Sequence, residues 1–458
     1  MLLDFSSSSL VRCSSAVYES ESRNKCREME NQNKEPAPSQ PNQRLCSLFY
    51  ELPSTSSAEQ TPKRNRPKSM QHESHDASAQ SPKRSRNANL PPPSFPPEII
   101  VEILSNLPVK SLLRFRCVSK SWKTLISDIF FVKKHLKNDP KFSKKRLLIN
   151  TASSQTQLQY SIKSCFLNAI FHDPIVTTTE IEYPLKKDSR CDWVVGSCNG
   201  LICIAIRQDT VILLNPTLRV SKRLPDLGFK KRRGCYTVYG LGFDASVDDY
   251  KVVRVFCYQS KGFEDGYESI VRVYSLRTNC WRRIQDFPFG VPCNEAGKHV
   301  DGSLHWVVFH GQEGFSCTIV SLDLTKETYK EVLQPCYGDG ASERTLGVLD
   351  GCLCVLCNYG RLYAVAWVMK EYGKRESWSK LFTIPYMPYP GAEFFSAPLF
   401  VSETGVILLH FGMNLILYDP KQNAFRIPVI PYDAISYIDQ AEVYEESLVS
   451  PTVVSQHR

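Results

Sequence analysis

Three closely spaced cysteines, Cys352, Cys354 and Cys357, are the residues whose type and spacing come nearest to a metal site. Thiolates bind structural zinc, but such a site needs four ligands around one tetrahedral centre. In a strand, Cys352 and Cys354 share one face and Cys357 points to the other, because side chains alternate. No second ligand pair at zinc spacing accompanies them in the sequence. The pattern therefore favours three core cysteines, and we expect neither a metal ion nor a cofactor.

Motifs that assemble a catalytic centre are missing from the sequence. It contains no Gly-x-Ser-x-Gly elbow, no His-Glu-x-x-His pair, no phosphate-binding loop and no Gly-x-Gly-x-x-Gly turn. Nine histidines are scattered along the chain, and His305 stands beside Trp306 in an apolar run, where a packing role is favoured. We therefore expect no catalytic residues in this chain.

Length and composition indicate a large chain with an ample core. A chain of 458 residues with 42% hydrophobic residues accommodates two or three domains. No run of about eighteen apolar residues occurs, so we expect no transmembrane helix and no membrane partner. Seventeen scattered cysteines, an odd number, indicate reduced thiols. Because the first residues also make a poor signal peptide, we expect the protein in the cytoplasm and the nucleus.

Residues 1–93 are rich in Ser, Pro, Asn, Gln and Lys and poor in aromatic residues, which predicts a disordered N-terminal tail. Two basic clusters lie within this tail, at 63–68 (Lys-Arg-Asn-Arg-Pro-Lys) and 82–86 (Pro-Lys-Arg-Ser-Arg). They are compatible with recognition by nuclear import machinery and equally with a solvated charged tail.

The stretch 94–136 has the spacing of three short helices. Pro96 suits the start of a helix, whose first amides have no intrahelical partner. Ile99, Ile103 and Leu107 recur at helical spacing, and Pro108 ends this first helix. Later apolar positions predict a second and a third helix. Three such helices are too small to bury a core alone, so their apolar stripe needs a partner.

This stretch resembles an F-box, the helical motif through which substrate receptors of SCF-type ubiquitin ligases bind their adaptor. The resemblance rests on Phe95-Pro96, Ile103-Leu104, Leu107-Pro108, Leu112-Leu113 and the segment 117–122 (Cys-Val-Ser-Lys-Ser-Trp). Phe95 stands where the family usually has leucine, and Ser119 where it often has cysteine. The alternative is an ordinary helical subdomain of an enzyme.

The resemblance implies that this stretch binds a Skp-type adaptor and, through the adaptor, a cullin scaffold. The adaptor-binding residues it implies are Phe95, Pro96, Ile99, Ile103, Leu104, Leu107, Pro108, Leu112, Leu113, Cys117, Val118 and Trp122.

A basic region overlaps the later part of the helical stretch 94–136 and continues to residue 146. Between Val109 and Arg146 the chain carries twelve Lys and Arg residues but only two acidic ones, Asp128 and Asp139, enough to account for the net charge of +9. Binding to phosphates is one interpretation. However, the basic residues interleave with the apolar helical positions and no nucleic-acid motif surrounds them. We therefore favour a solvated face, a basic linker at 137–146, and no nucleic-acid partner.

From residue 146 onward, short β-rich runs replace the helical spacing and repeat about every fifty residues. One recurring unit is a turn ending in glycine before an apolar strand; its four glycines are Gly200, Gly302, Gly351 and Gly405. In a second recurring unit an aromatic residue follows another apolar strand, although the earliest copy, at 211–224, lacks the aromatic. The aromatics Trp281, Tyr329, Trp378 and Phe425 stand 48, 49 and 47 residues apart. This period, with about four strands per repeat, predicts a β-propeller whose aromatics pack between blades.

The predicted fold is a mixed multidomain chain: a small all-α F-box of three helices followed by an all-β propeller of about six blades at 147–450. Five blades are predicted directly, at 192–227, 235–286, 297–334, 345–384 and 397–430. A sixth combines 146–164 with 436–450, so that both ends of the chain close the ring and remove free sheet edges. Residues 451–458 form a C-terminal tail.

The repeat region resembles the F-box-associated, kelch-like domain of a large plant class of F-box proteins. The matching segments are 198–201, 214–217, 239–244, 249–253, 273–276, 302–306 and 446–449. The Gly-Gly doublet of true kelch repeats is missing. The resemblance implies a substrate-recognition subunit that binds a target protein through the propeller for ubiquitination and proteasomal degradation. The alternatives are a non-degradative F-box scaffold and a propeller enzyme with a fortuitous helical prefix.

Three segments predicted as loops have compositions suited to binding a target protein. Segment 228–234 is strongly basic and suits an acidic target. Segment 258–267 mixes aromatic residues with glycine, and 385–391, followed by Phe394-Phe395, offers stiff apolar anchors. The candidate target-binding residues are Lys230, Lys231, Arg232, Arg233, Phe263, Tyr267, Tyr386 and Tyr389. They form one surface only if the three loops share a face of the propeller.

Overall fold

The structure is a computed structural model of the chain. It describes residues 96–138, 144–154, 158–207, 209–228, 235–259, 267–293, 295–310, 316–360, 362–386, 396–431 and 436–452. Phe95, the predicted N-terminal tail at 1–93 and the end of the C-terminal tail at 453–458 lie outside these residues.

Four short helices open the described part of the chain: α1 (Pro97–Ser105), α2 (Val109–Phe115), α3 (Lys120–Ser127) and α4 (Ile129–Lys137). The stretch expected to hold the third helix contains two, because Asp128 takes an extended conformation between them. The Asp128 carboxylate then accepts hydrogen bonds from the first free amides of α4, at 2.9 and 3.2 Å. A carboxylate at this position satisfies amides that otherwise have no partner, so it starts a new helix.

Ser119, one of the two departures from the family pattern, caps α3. Its hydroxyl accepts a hydrogen bond from the Trp122 amide at 3.1 Å. This is the role serine favours in front of a helix. The substitution therefore has a local structural reason.

The strands form six antiparallel sheets, numbered here as blades in chain order. Blade 1 consists of β1 (Lys145–Ser154), β2 (Leu158–Phe166) and β3 (Thr179–Glu180) together with the last strand, β25 (Ser436–Glu445); α5 (Leu167–His172) lies between β2 and β3. Blade 2 consists of β4 (Trp193–Cys198), β5 (Leu201–Ile206), β6 (Thr210–Asn215) and β7 (Val220–Arg223). Blade 3 consists of β8 (Tyr236–Asp244), β9 (Asp249–Gln259), β10 (Tyr267–Ser275) and β11 (Cys280–Arg283).

The remaining blades follow the same plan. Blade 4 consists of β12 (Val291–Pro292), β13 (Lys298–Val300), β14 (Ser303–His310), β15 (Ser316–Asp323) and β16 (Tyr329–Val332). Blade 5 consists of β17 (Ala341–Leu349), β18 (Cys352–Tyr359), β19 (Tyr363–Met369) and β20 (Trp378–Pro385). Blade 6 consists of β21 (Phe400–Val401), β22 (Ile407–Phe411), β23 (Asn414–Asp419) and β24 (Ala424–Arg426). The six-bladed propeller predicted from the repeat period is confirmed.

The two ends of the propeller region close the ring. Strand β25 pairs antiparallel with β1, from Lys145 opposite Glu445 to Ser153 opposite Ser436. The innermost strand of blade 1 thus comes from the end of the region and its other three strands come from the start. Because β1 begins at Lys145 and α4 ends at Lys137, the segment between helices and propeller is 138–144, slightly shorter than the predicted linker.

The glycine turns have the backbone geometry expected of tight hairpins. Gly200 (φ +80°) follows Asn199 (φ +49°), and Gly302 (φ +70°) follows Asp301 (φ +47°). Two successive positive φ angles define the type I′ turn, which favours Asn-Gly and Asp-Gly. The repeated dipeptide therefore sets the turn that joins the first two strands of a blade.

The periodic aromatic residues lie between blades, as predicted. Each stands at the start or within the first residues of an outer strand and reaches the chain leaving the preceding blade. Trp281 Nε1 donates to the Pro225 carbonyl at 2.8 Å. Tyr329 Oη donates to the Gln285 carbonyl at 3.0 Å, and Trp378 Nε1 to the Leu333 carbonyl at 2.9 Å. At these three positions the repeat therefore preserves an inter-blade hydrogen bond as well as apolar contact, whereas Phe425 of blade 6 has no side-chain donor.

Candidate adaptor and target interfaces

The four helices lie at one end of the propeller. Consecutive strands of a blade are antiparallel, so the first and third turns of a blade share an end. Lys133 of α4 forms a 2.8 Å ion pair with Asp248, in the first turn of blade 3. Buried side chains of the helices, including Leu112, belong to the same apolar cluster as Leu201 and Leu276, which flank such turns. The helical segment is therefore packed on the end that carries the first and third turns.

This packing divides the described adaptor-binding candidates into three groups, which are buried, half-buried and exposed. Leu104 and Leu112 are buried, with 2% and 0% of their surface exposed. Leu107, Leu113 and Trp122 are half-buried, and the Trp122 ring packs edge-on against Phe115 at 5.3 Å. The exposed members are Pro96, Ile99, Ile103, Pro108, Cys117 and Val118. The sequence pattern predicted that the whole apolar stripe binds a partner. In the structure, part of this stripe packs against the chain's own propeller.

Two exposed apolar residues were not among the predicted set. Ile129 and Phe130 open α4 and are 43% and 76% exposed. They were missed because the third and fourth helices were taken as one. Asp128 in front of two apolar residues is the signal that could have revealed the helix start.

The three candidate target-binding loops leave from strand ends at the opposite end of the propeller. Strand β9 ends at Gln259 and pairs there with Tyr267, the first residue of β10. Pro385 ends β20, and Gly228 lies in the connection from blade 2 to blade 3. Second turns and blade-to-blade connections share the end that the helices leave free, because strands alternate in direction. The described anchors of all three loops thus lie on one face.

Most candidate target-binding residues fall outside the described residues: Lys230, Lys231, Arg232, Arg233, Phe263 and Tyr389. Tyr267 is a strand residue instead of a loop residue. Tyr386 is half-buried, donates its hydroxyl to Asn358 Oδ1 at 3.0 Å and packs edge-on against Phe411 at 6.1 Å. Tyr386 therefore supports the blade, and its binding role stays a prediction.

The inner strands enclose a central cavity of about 760 Å³. Lys298 of blade 4 and Glu442 of blade 1 meet across this cavity with a separation of 3.6 Å between Nζ and Oε2. No group of three or more metal-ligating side chains occurs among the described residues. Cys354 and Cys357 are buried on opposite faces of β18, in separate apolar clusters, as their spacing predicted.

His305, the histidine singled out in the sequence, is fully buried between blade strands. Its Nδ1 lies 3.0 Å from the Lys298 carbonyl oxygen, and its Nε2 lies 2.7 Å from the Tyr372 hydroxyl. A carbonyl only accepts, so Nδ1 carries the proton and Nε2 accepts from Tyr372. Burial lowers the pKa of His305 to about 4, which keeps the ring neutral. The geometry is that of a satisfied core histidine.

Comparison with known proteins agrees with this architecture. The family model of the F-box associated beta propeller domain matches residues 153–453, and that of the F-box domain matches residues 93–134. The chain belongs to the plant F-box proteins. An F-box/kelch-repeat protein of Arabidopsis thaliana is 34% identical over 376 residues, which cover 79% of this chain and 96% of that protein. F-box protein CPR1 of Arabidopsis thaliana is 32% identical over 384 residues, covering 78% of this chain and 89% of CPR1.

Solved structures resemble this F-box protein only distantly. An oligogalacturonate lyase in complex with manganese aligns with a TM-score of 0.37 and 9% identity, over 64% of this chain and 83% of the lyase. No conclusion about activity follows from a likeness of that size. Among the described residues, no helix is long and apolar enough to cross a membrane.

Proposed function

We propose that this F-box protein is the substrate receptor of an SCF-type ubiquitin ligase. Its helices would bind a Skp-type adaptor and thereby a cullin scaffold, and its propeller would bind a target protein for ubiquitination and proteasomal degradation. The observation that carries the proposal is the placement of two surfaces. Exposed apolar side chains of the helices lie at one end of the propeller, and the anchors of the candidate recognition loops lie at its opposite end.

In this role the chain contributes proximity and orientation. Holding a target near the ubiquitin carrier raises the effective concentration of its lysines at the reactive thioester. The bond-making groups would belong to other subunits.

The adaptor surface is tested by charging its exposed apolar residues. In the Ile99→Asp/Ile103→Asp variant, we expect adaptor capture to fall by about thirtyfold or more, because a central apolar anchor contributes about 2 kcal/mol or more. Both side chains are exposed, at 45% and 55%, so the propeller should stay folded. The matched control is Leu362→Asp, since Leu362 is 74% exposed and lies in the second turn of blade 5, at the other end.

Equal adaptor capture by wild type, the helix variant and the Leu362 control would overturn the adaptor assignment. Truncating Leu112 is a poorer test, because this side chain is fully buried and its loss perturbs folding.

Degradation and scaffolding are distinguished in cells with the Ile99→Asp/Ile103→Asp variant, which removes the exposed adaptor surface and leaves the core beneath the helices intact. A receptor that directs degradation loses its adaptor, so its target accumulates; a non-degradative scaffold leaves target levels unchanged. Affinity purification with the same variant retains targets that would otherwise be degraded, and so identifies them.

Target capture is tested at the basic loop and at the aromatic loop separately. Reversing the charges of Lys230, Lys231, Arg232 and Arg233 should weaken binding of an acidic target and reduce its salt dependence. Tyr389→Ala tests the aromatic loop without disturbing Tyr386, whose hydroxyl bonds to Asn358. Capture that survives both variants would move recognition away from this face.

We also propose that the protein resides in the cytoplasm and the nucleus. The basis is the pair of basic clusters at 63–68 and 82–86. Replacing their Lys and Arg residues with alanine should exclude a fluorescently tagged protein from the nucleus, and unchanged nuclear signal would refute the role of the clusters.

A further inference from the structure

The four residues that follow the ring-closing strand, Glu446, Ser447, Leu448 and Val449, lie between the helical segment and the propeller; we call residues 446–449 the C-terminal seat. All four are buried, with exposed fractions of 8%, 0%, 6% and 7%. Leu448 and Val449 belong to the apolar cluster that contains Leu112 and Val109 of α2. A segment more than three hundred residues away in sequence thus completes the core under the helices.

Blade 2 holds the C-terminal seat by its backbone. The Asn215 side-chain amide donates to the carbonyl oxygens of Ser447 and Val449, at 3.0 and 2.8 Å. The Asn215 Oδ1 atom meanwhile accepts from the Thr217 amide at 2.9 Å, which fixes the side chain in its turn. At Gly200 an added Cβ would lie 2.2 Å from Ser447 Oγ, so only glycine admits the seat there.

The helices are held by the other side of the C-terminal seat. Glu446 Oε1 lies 3.0 Å from Arg146 Nη1 of β1 and 4.0 Å from Lys110 Nζ of α2. Both cations also lie over the Phe166 ring, at 4.3 Å for Arg146 and 4.7 Å for Lys110. One buried carboxylate therefore joins the helical segment, the first strand of the propeller and the ring closure.

A second connection passes through the main chain. The Glu446 amide donates to the Lys144 carbonyl at 2.9 Å. Buried Lys144 in turn donates its ammonium to the carbonyls of His135 and Asn138, at 3.2 and 3.4 Å, at the C-terminal end of α4. A cation there satisfies carbonyls that have no intrahelical donor and favours the helix dipole.

We propose that Glu446 is a positioning residue, and that the C-terminal seat sets the orientation of the adaptor-binding helices relative to the target face. This inference rests on the proposed function. In that function the adaptor-binding helices and the target face of the propeller must be held at a defined angle, so that the target meets the ubiquitin carrier. The orientation follows from packing against residues that close the ring. The adaptor-binding helices and the residues that follow the ring closure therefore share one core.

The test measures orientation in the full-length chain. Labels introduced as non-natural amino acids at exposed Glu98 of α1 and exposed Lys421 of blade 6 report a distance distribution by pulsed electron resonance or fluorescence transfer. Glu446→Gln keeps the shape and removes the charge, and we expect a broader distribution with a shifted mean. The matched control is Glu442→Gln, three residues before the end of β25, which loses the cavity ion pair with Lys298 and has no contact with a helix among the described residues. It should leave the distribution unchanged.

If Glu446→Gln abolishes the cooperative thermal unfolding transition of the propeller, Lys110→Ala is used in its place. The Lys110 side chain is 58% exposed, so its truncation removes only the helix side of the same interaction. Faster amide exchange in α2 with unchanged exchange in the blade strands should accompany either variant. A distribution identical to wild type in both Glu446→Gln and Lys110→Ala would overturn the inference. Adaptor capture by the wild-type chain is measured in parallel. If wild type fails to bind the adaptor while Glu446→Gln still shows the expected change in distance, the proposed function is refuted and the role of the C-terminal seat is not.

Discussion

Replacing Trp378 with alanine should weaken the seam between blades 4 and 5. Trp378 opens the outer strand of blade 5, is 8% exposed and donates Nε1 to the Leu333 carbonyl of blade 4 at 2.9 Å. A buried tryptophan removes roughly 200 Å² from water, which at about 25 cal/mol per Å² sets an upper value near 5 kcal/mol. Measured losses for deleted core aromatics span about 3–5 kcal/mol. We therefore expect Trp378→Ala to lower the free energy of unfolding by roughly 3–5 kcal/mol.

A second variant separates packing from hydrogen bonding at the same position. Trp378→Phe keeps an aromatic ring but cannot donate to Leu333, so it should cost about 1–2 kcal/mol. Trp281→Ala, at the less buried equivalent in blade 3, should cost less than Trp378→Ala. Urea unfolding followed by circular dichroism measures all three without relying on the fluorescence of the removed ring. An unfolding midpoint for Trp378→Ala equal to that of wild type would refute the inter-blade role of the repeated aromatic.

Three further changes test other parts of the architecture. Gly200→Ala should destabilise the protein more than Gly302→Ala, because both glycines have positive φ but only Gly200 would meet Ser447, whereas nothing lies within 4 Å at Gly302; comparing their thermal melts decides this. Asn215→Ala should cost about 1–3 kcal/mol in urea unfolding, because it leaves buried carbonyls without a donor; a smaller loss would contradict the holding role of this amide. His305 has a pKa of about 4 when folded and about 6.5 when unfolded, so the unfolded chain binds the extra proton, and stability present above pH 6.5 should fall by about 3 kcal/mol as the pH drops toward 4. Urea titrations over this range should show a smaller fall for His305→Gln; an equal fall would assign the effect to other groups.

The repeat architecture is predictable from sequence because its signals are local. Turn glycines such as Gly302, alternating apolar strands and an aromatic about every fifty residues each act within a few residues of chain. The same holds for the F-box helices, whose spacing and proline positions are short-range features. The division at Asp128 escaped prediction because a helix start within an apolar run is marked by a single capping residue.

The candidate sites were predictable in type but only partly in detail. The pattern that marks Ile103 and Leu112 as one apolar stripe is identical whether a residue faces a partner or the chain's own propeller. The structure separates them, with Ile103 55% exposed and Leu112 fully buried. Likewise, Tyr386 is a residue type common in interface anchors, but its hydroxyl donates to Asn358 and its ring packs edge-on against Phe411. Burial depends on what packs from elsewhere in the chain, which spacing does not encode.

From the sequence alone came the class of the two domains, the closure of the ring by both ends and the glycines that must adopt positive φ. These follow from periodicity and backbone sterics, which each short segment carries in itself. Tertiary structure alone decided that the described anchors of the three loops and the helices lie at opposite ends of the propeller, and that residues 446–449 pack beneath the helices. The contacts involved are the ion pair of Lys110 with Glu446 and the hydrogen bond from Asn215 to the Val449 carbonyl. Contacts between residues so far apart arise only when the closed ring brings them together, because no local rule links their positions.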